Sequence, residues 1–313
     1  MIPLIRNSLG EAASVFSGGS SRGGAPRLSW SSSGRTHHAH AVVTGAGSGI
    51  GRAFAEELSR RGGRVVCADI DEHAAKRTAE DLLVRGGGAL AVRCDVSDAD
   101  QVAELADLAE QWFGGPPDLV VNNAGVGTGG RVVGDAPMAE WHATLGVNLW
   151  GVVHGCHVFA PRLRAAGRGG IINVASAASF AAAPRMGAYN VSKAGVLALS
   201  ETLAAELSGT GVAVTVLCPT FVRTNILRSD TIDQAATRLA EQLMRWTGVG
   251  PDRIAAATLD AHDRGRLHVV PQWDAQLVWL LKRLAPAPYT RALGLLHRFA
   301  PEPATTPATT EEG

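Results

Sequence analysis

A short apolar strand that runs directly into a glycine-rich turn and then a helix constrains this chain more than any other feature. Residues Ala41-Val-Val-Thr-Gly-Ala-Gly-Ser-Gly-Ile-Gly51 carry it. Glycines at 45, 49 and 51 let the backbone turn tightly, approach a pyrophosphate, and pack a helix close to a strand. A helix that starts there points unpaired N–H groups at an anion. A lone glycine turn is weak evidence, because ordinary loops are also rich in glycine. The setting strengthens it. Ala53, Phe54 and Leu58 continue at helical spacing, and a second apolar strand, Arg64-Val-Val-Cys-Ala-Asp69, follows.

Asp69 ends that second strand. A carboxylate at this point can accept hydrogen bonds from adenosine ribose hydroxyls and repels a 2′-phosphate, which favours NAD over NADP. Ile70 follows where a phosphate-binding cation would otherwise stand. Asp71, two residues on, is suited to cap the next helix.

Tyr189 and Lys193 lie four residues apart, and Ser176 lies upstream of them. On a helix, residues i and i+4 share a face. A cation beside a phenol favours the phenolate, so Tyr189 is expected to act as general acid or base at neutral pH, with Ser176 holding the same substrate oxygen. Tyr and Lys at helical spacing carry little weight alone; their place behind a dinucleotide-type turn gives them meaning.

The ordered set Thr44–Gly51, Asp69, Asp95-Val96, Asn122-Asn-Ala-Gly125, Asn148, Ser176, Tyr189, Lys193, and Pro219 with Thr224 resembles the short-chain dehydrogenase/reductase family, in its single-domain branch. The likeness is close over about residues 40 to 225. It implies an α/β fold: a doubly wound, Rossmann-like parallel sheet with helices on both faces. It also implies NAD as cofactor and hydride transfer at a carbon bearing oxygen. By the same resemblance, Asn148, Ser176, Tyr189 and Lys193 form the catalytic set. The cofactor residues it implies are Gly45, Ser48, Gly49, Ile50, Gly51, Asp69, Asp95, Val96, Asn122, Ala124, Gly125, Tyr189, Lys193, Pro219, Val222 and Thr224. Asn148 is implied to hold a water that connects Lys193 to solvent. One departure stands out. The family has Pro-Gly after the sixth strand, and this chain has Cys218-Pro219-Thr220. A β-branched residue there is expected to reshape the nicotinamide face.

With 313 residues and 46% hydrophobic content the chain can bury a large core, and its formal charge of zero gives no sign of a nucleic-acid partner. Four scattered cysteines show no metal spacing and read as buried thiols of a reducing compartment. Strands are expected near 41–44, 65–69, 89–94, 118–122, 170–175 and 212–217. Helices are expected near 50–61, 72–85, 98–112, 138–165 and 188–208. This alternation calls for a parallel sheet.

The expected organisation is a disordered tail over 1–38, a catalytic domain over 39–271 with a lid at 221–265, a helical extension over 272–300, and a disordered end over 301–313. The tail is rich in Ser, Gly and Arg. A cytoplasmic protein is expected, with a mitochondrial transit peptide as the alternative reading of the tail. The lid's apolar positions suit a neutral lipophilic substrate of steroid, retinoid or long-chain type. The extension is expected to pack within the chain or on a neighbouring subunit, with peripheral membrane contact as the alternative. A homodimer or homotetramer is expected from the family. The chain reads as an NAD-dependent oxidoreductase of alcohols and carbonyls; the competing reading is a regulatory or scaffold protein of the same fold with little turnover.

Overall fold

The computed structural model describes residues 34–220, 222 and 249–299. Seven parallel strands form one sheet: β1 (His40–Thr44), β2 (Arg64–Asp69), β3 (Gly88–Arg93), β4 (Leu119–Asn122), β5 (Gly169–Val174), β6 (Val212–Leu217) and β7 (His268–Val269). Their spatial order is β3-β2-β1-β4-β5-β6-β7. The chain winds outward from β1 to β3, returns, and winds the other way from β4. The direction of winding therefore reverses between β1 and β4, where crevices of such sheets open.

The strands read as near-continuous apolar runs because both faces are covered. Val42 and Val43 show how. Successive side chains point to opposite faces, so Val42 joins Val66, Val120 and Ile171 in one buried layer, and Val43 joins Val65, Val121 and Ile172 in the other. The first layer packs on α3 (Ala99–Phe113), α5 (Gly151–Ala166) and α7 (Gly187–Glu206). The second packs on α1 (Gly49–Arg60) and α2 (Glu72–Val84). Asp71 caps α2 by accepting from the Ala74 N–H, and Asp98 caps α3 by accepting from Asp100 and Gln101.

Four regions differ from expectation. The helix expected over 138–165 is three pieces: α4 (Met138–Leu145), a π-helical turn (Gly146–Trp150) and α5. The π turn adds a residue to the helical register, a device that often re-aims a functional side chain; here that residue set includes Asn148. Secondly, the lid expected over 221–265 is described only at Val222 and from 249 onward. Within it α8 (Pro251–Asp263) is a core helix, with Ile254, Ala255 and Leu259 buried beside α1. Thirdly, β7 extends the sheet by a two-residue edge strand. Finally, residues 34–38 are fixed to the fold. Thr36 is fully buried and gives its N–H and hydroxyl to the Asp263 carboxylate. Arg61 joins them, pairing with Glu57, Asp260 and Asp263. The bonds to Asp260 and Asp263 span some two hundred residues of sequence, so no local pattern announces them.

The extension forms α9 (Trp273–Leu284) and α10 (Pro286–Phe299), following α6 (Ala178–Ala181) in space. Trp279 of α9 meets Phe180 with ring centroids 6.3 Å apart, and the Tyr289 hydroxyl of α10 donates to the Ala181 carbonyl at 2.8 Å. Among the described residues no helix is long and apolar enough to cross a membrane.

Candidate active site

A cavity of about 770 Å³ opens at the carboxyl ends of β1, β4, β5 and β6. Its floor is the glycine turn. Gly45 and Gly49 have φ of +64° and +55°, which glycine adopts without strain. A Cβ on Gly51 would stand 2.1 Å from the Gly45 carbonyl oxygen, so a side chain there would push α1 off the turn. Gly51 is thus a packing residue beneath the cavity, and Gly45, Ser48, Gly49 and Ile50 line it. The start of α1 opens onto this end. Asp69 lies at the same rim, held by two backbone donors: the Gly47 N–H at 2.8 Å and the Asp71 N–H at 3.0 Å. Ile70 beside it is exposed. Asp95 and Val96 line the adjoining wall. A backbone cradle, a helix N-terminus and an oriented carboxylate in this order fit the pyrophosphate and ribose of a dinucleotide without a 2′-phosphate.

The end of β4 separates two neighbouring asparagines. Asn122 does not reach the cavity. Its amide donates to Asn173 Oδ1 at 2.8 Å between β4 and β5, and a Cβ on Gly155 would lie 2.1 Å from its Oδ1. It belongs to the α5 side of the sheet, whereas the resemblance implies it among the cofactor residues. Asn123, one residue on, faces the other way. It donates to the Thr44 and Gly45 carbonyls at 2.9 and 3.3 Å and lines the cavity with Ala124 and Gly125. The two-residue alternation of strand side chains explains the exchange.

Ser176 follows β5, and α7 carries Tyr189 and Lys193 one turn apart; all three line the cavity. The Ser176 hydroxyl donates to the Pro219 carbonyl at 3.5 Å. Lys193 is buried, and its Nζ donates to the Val174 carbonyl at 3.0 Å. Burial brings its pKa down to about 8. Burial pushes the Tyr189 phenol above its usual range, opposed by interaction with the Ser176 side chain. The Lys193 ammonium is aimed at Val174 and lies 5.9 Å from the tyrosine ring centroid, so burial outweighs its pull on the phenol.

Asn148 stands behind this wall. It donates to the Val126 carbonyl at 2.9 Å, accepts from the Val126 N–H at 2.7 Å, and reaches Ser192 Oγ at 3.4 Å. A Cβ on Gly125 would lie 3.0 Å from Asn148 Oδ1 and 3.3 Å from Lys193 Nζ, so glycine leaves these two groups facing across the backbone.

At the far end, Pro219 and Val222 line the cavity; Thr224 lies outside the described residues. Thr220, the departure from the Pro-Gly pattern, is used. Its N–H donates to Gln272 Oε1 at 3.1 Å and its hydroxyl to Asp274 Oδ1 at 3.4 Å. It joins β6 to α9, whose Asp274, Ala275 and Val278 form part of the cavity wall. No local signal marks those three; Thr220 in the place of glycine is the one hint.

Comparison with known proteins agrees with this geometry. A family profile described as "short chain dehydrogenase" matches residues 39–235. The probable oxidoreductase EphD of Mycobacterium tuberculosis is 40% identical over 230 residues, covering 70% of this chain and 38% of that protein. The chain therefore spans well under half the length of that relative. The 1-deoxy-11-beta-hydroxypentalenate dehydrogenase of Streptomyces exfoliatus is 37% identical over 254 residues, covering 79% of this chain and 90% of that one. A short chain dehydrogenase/reductase from Burkholderia phymatum, solved in complex with NAD, superposes with a TM-score of 0.73 at 37% identity, covering 78% of this chain and 92% of that one. With its switch-point cavity, glycine cradle and Ser-Tyr-Lys cluster, the chain belongs to the short-chain dehydrogenase family.

Proposed function

We propose that this protein is an NAD-dependent oxidoreductase that interconverts an alcohol and a carbonyl, with Tyr189 as general acid/base. The observation that carries the reading is one cavity lined at one end by the glycine turn and Asp69 and at the other by Ser176, Tyr189 and Lys193. Bound nicotinamide would supply the hydride donor or acceptor. The chain's own groups do the rest. Tyr189 holds its proton and delivers it to a carbonyl oxygen, and Ser176 orients that oxygen by a hydrogen bond. Lys193 keeps a buried positive charge near the phenol, and Asn148 braces the Val126 backbone behind it. Asp69 selects the unphosphorylated ribose by charge repulsion.

Ala181, Ala183, Met186, Ala275 and Val278 give the substrate end an apolar lining. This supports a neutral, lipophilic alcohol or ketone. A homo-oligomer is part of the same reading, supported by exposed Trp150 and Val191 near the starts of α5 and α7. Oxidation of NADH, followed by absorbance with a panel of neutral ketones, tests the proposal. Turnover of at least one ketone is expected. Tight NADH binding with no turnover on any of them would instead support the regulatory reading.

A further inference from the structure

Helix α9 has two apolar faces. The inner one closes the cavity: Ala275 is fully buried, Val278 lines the cavity, and Trp279 packs on Phe180. The outer one is a stripe of Trp273, Leu277, Leu280, Leu281 and Leu284, with Trp273 72% and Leu284 75% exposed. These positions recur at the three- and four-residue steps of a single helical face. Leu295 and Leu296 of α10 are also exposed. Single exposed leucines need no explanation, but a stripe of this kind does.

The charges say what covers it. Between residues 273 and 299 the cations are Lys282, Arg283, Arg291 and Arg298, and the one acid is Asp274. Asp274 accepts from Thr220 on the inner side. Pairing this face with a second copy of itself would bring the cations of both copies together with no acid between them, which is repulsive. An anionic lipid surface offers the opposite charge and an apolar layer at the depth of the leucines. A tryptophan and leucines on one face, with Arg283 at its edge and Arg291 and Arg298 on the next helix, is the pattern of a helix that lies in a membrane interface.

We propose that the helical pair over 273–299 docks on an anionic membrane surface, with the outer stripe of α9 in the lipid interface. One helix then separates the lipid from the cavity wall that carries Ala275 and Val278.

The test is flotation of the full chain with vesicles of phosphatidylcholine alone and of phosphatidylcholine with a quarter phosphatidylglycerol. Binding is expected to the anionic vesicles and to weaken in high salt. Arg283→Glu with Arg291→Glu should weaken it by on the order of tenfold or more. Leu280→Glu with Leu284→Glu should abolish it while the thermal melting point stays unchanged, since both side chains are exposed. Equal flotation of wild type and both variants would overturn the proposal, as would no flotation at all. So would a leucine double variant that leaves flotation intact but breaks an oligomer seen by light scattering; that outcome would make the face a subunit interface.

Discussion

Lys193 donates its buried ammonium to the carbonyl of Val174, the last residue of β5, at 3.0 Å. The contact ties the middle of the site to the sheet. Burying the ammonium costs stability, because it lowers the lysine pKa from 10.5 to about 8. A lysine with a depressed folded pKa binds fewer protons folded than unfolded between these values. Stability therefore rises as pH increases from about 8 to about 10.5, and the full burial penalty is present below about 8. Lys193→Met should abolish turnover yet raise the melting temperature at pH 7. The gain is bounded by roughly 3 kcal/mol for the shift, less about 1 kcal/mol for the lost hydrogen bond. Melting curves of both proteins between pH 7 and pH 10 check this. The gap should close toward the alkaline end; a gap that does not change with pH would sink the account.

Tyr189 presents a different balance. Its phenol is pushed up by burial, so in the protein alone it remains protonated at neutral pH. The proposed mechanism has it donate to a carbonyl oxygen from this state. Tyr189→Phe keeps the ring against its surroundings and removes the donor. Turnover should fall by about 10²–10⁴-fold, the usual loss for general acid/base catalysis. The NADH dissociation constant, read by fluorescence titration, should move by less than about threefold (under 1 kcal/mol) because the glycine turn and Asp69 are untouched. Near-normal turnover in the variant would remove Tyr189 from its role.

The readable and unreadable parts of the site divide by distance. The glycine turn, Asp69 and the Tyr189–Lys193 spacing are local, and each owes its position to one strand end or one helical turn. Asn122 and Asn123 are adjacent, and only the exact end of β4 decides which of them faces the cavity. Lys193 was legible as a cation near Tyr189, but the carbonyl that captures it belongs to another strand. α8 falls within the bounds expected for the lid. It is core because Ile254, Ala255 and Leu259 bury beside α1, and Arg61, Thr36 and Asp263 tie it there across the fold. Thr220 reads as a defect in a glycine position until Gln272 and Asp274 are seen beside it.

Asp69 has two roles that one substitution can separate. On the proposed function it repels a 2′-phosphate, and in the structure it holds the turn through the Gly47 N–H. Asp69→Ala with Ile70→Arg removes the repulsion and adds a guanidinium for the phosphate. Preference should move toward NADP. The loss of the Gly47 bond should weaken NAD binding as well, by about 1–3 kcal/mol for a charge-assisted hydrogen bond. Asp69→Asn should keep part of the Gly47 contact and lose the repulsion. Dissociation constants for NADH and NADPH across the three proteins check both roles. A wild-type protein that binds NADPH more tightly than NADH would overturn this assignment.

His262 offers a test of the fold that is independent of the cofactor. The Thr215 hydroxyl has one proton and donates it to the Arg266 carbonyl at 2.8 Å. His262 Nδ1, 2.9 Å from the same oxygen, must then be the donor, which leaves Nε2 as a bare lone pair. Nε2 is buried with no partner. It sits so close to β5 that a Cβ on Gly170 would lie 2.0 Å from it. The ring is thus held neutral, and burial, then Arg35, lowers its pKa from 6.5 to about 4. The unfolded chain takes up a proton below about pH 6.5 and the folded one does so only near pH 4. Stability is therefore full above about 6.5 and is lost as pH falls toward about 4, by roughly 3 kcal/mol in all. His262→Asn can keep a donor for Thr215 but cannot titrate. It should be less stable at pH 7.5 because it leaves a void beside Gly170. Its deficit relative to wild type should shrink as pH falls from 6.5 to 4.5 in urea unfolding curves. Parallel stability profiles for the two proteins would show that His262 does not carry the acid sensitivity.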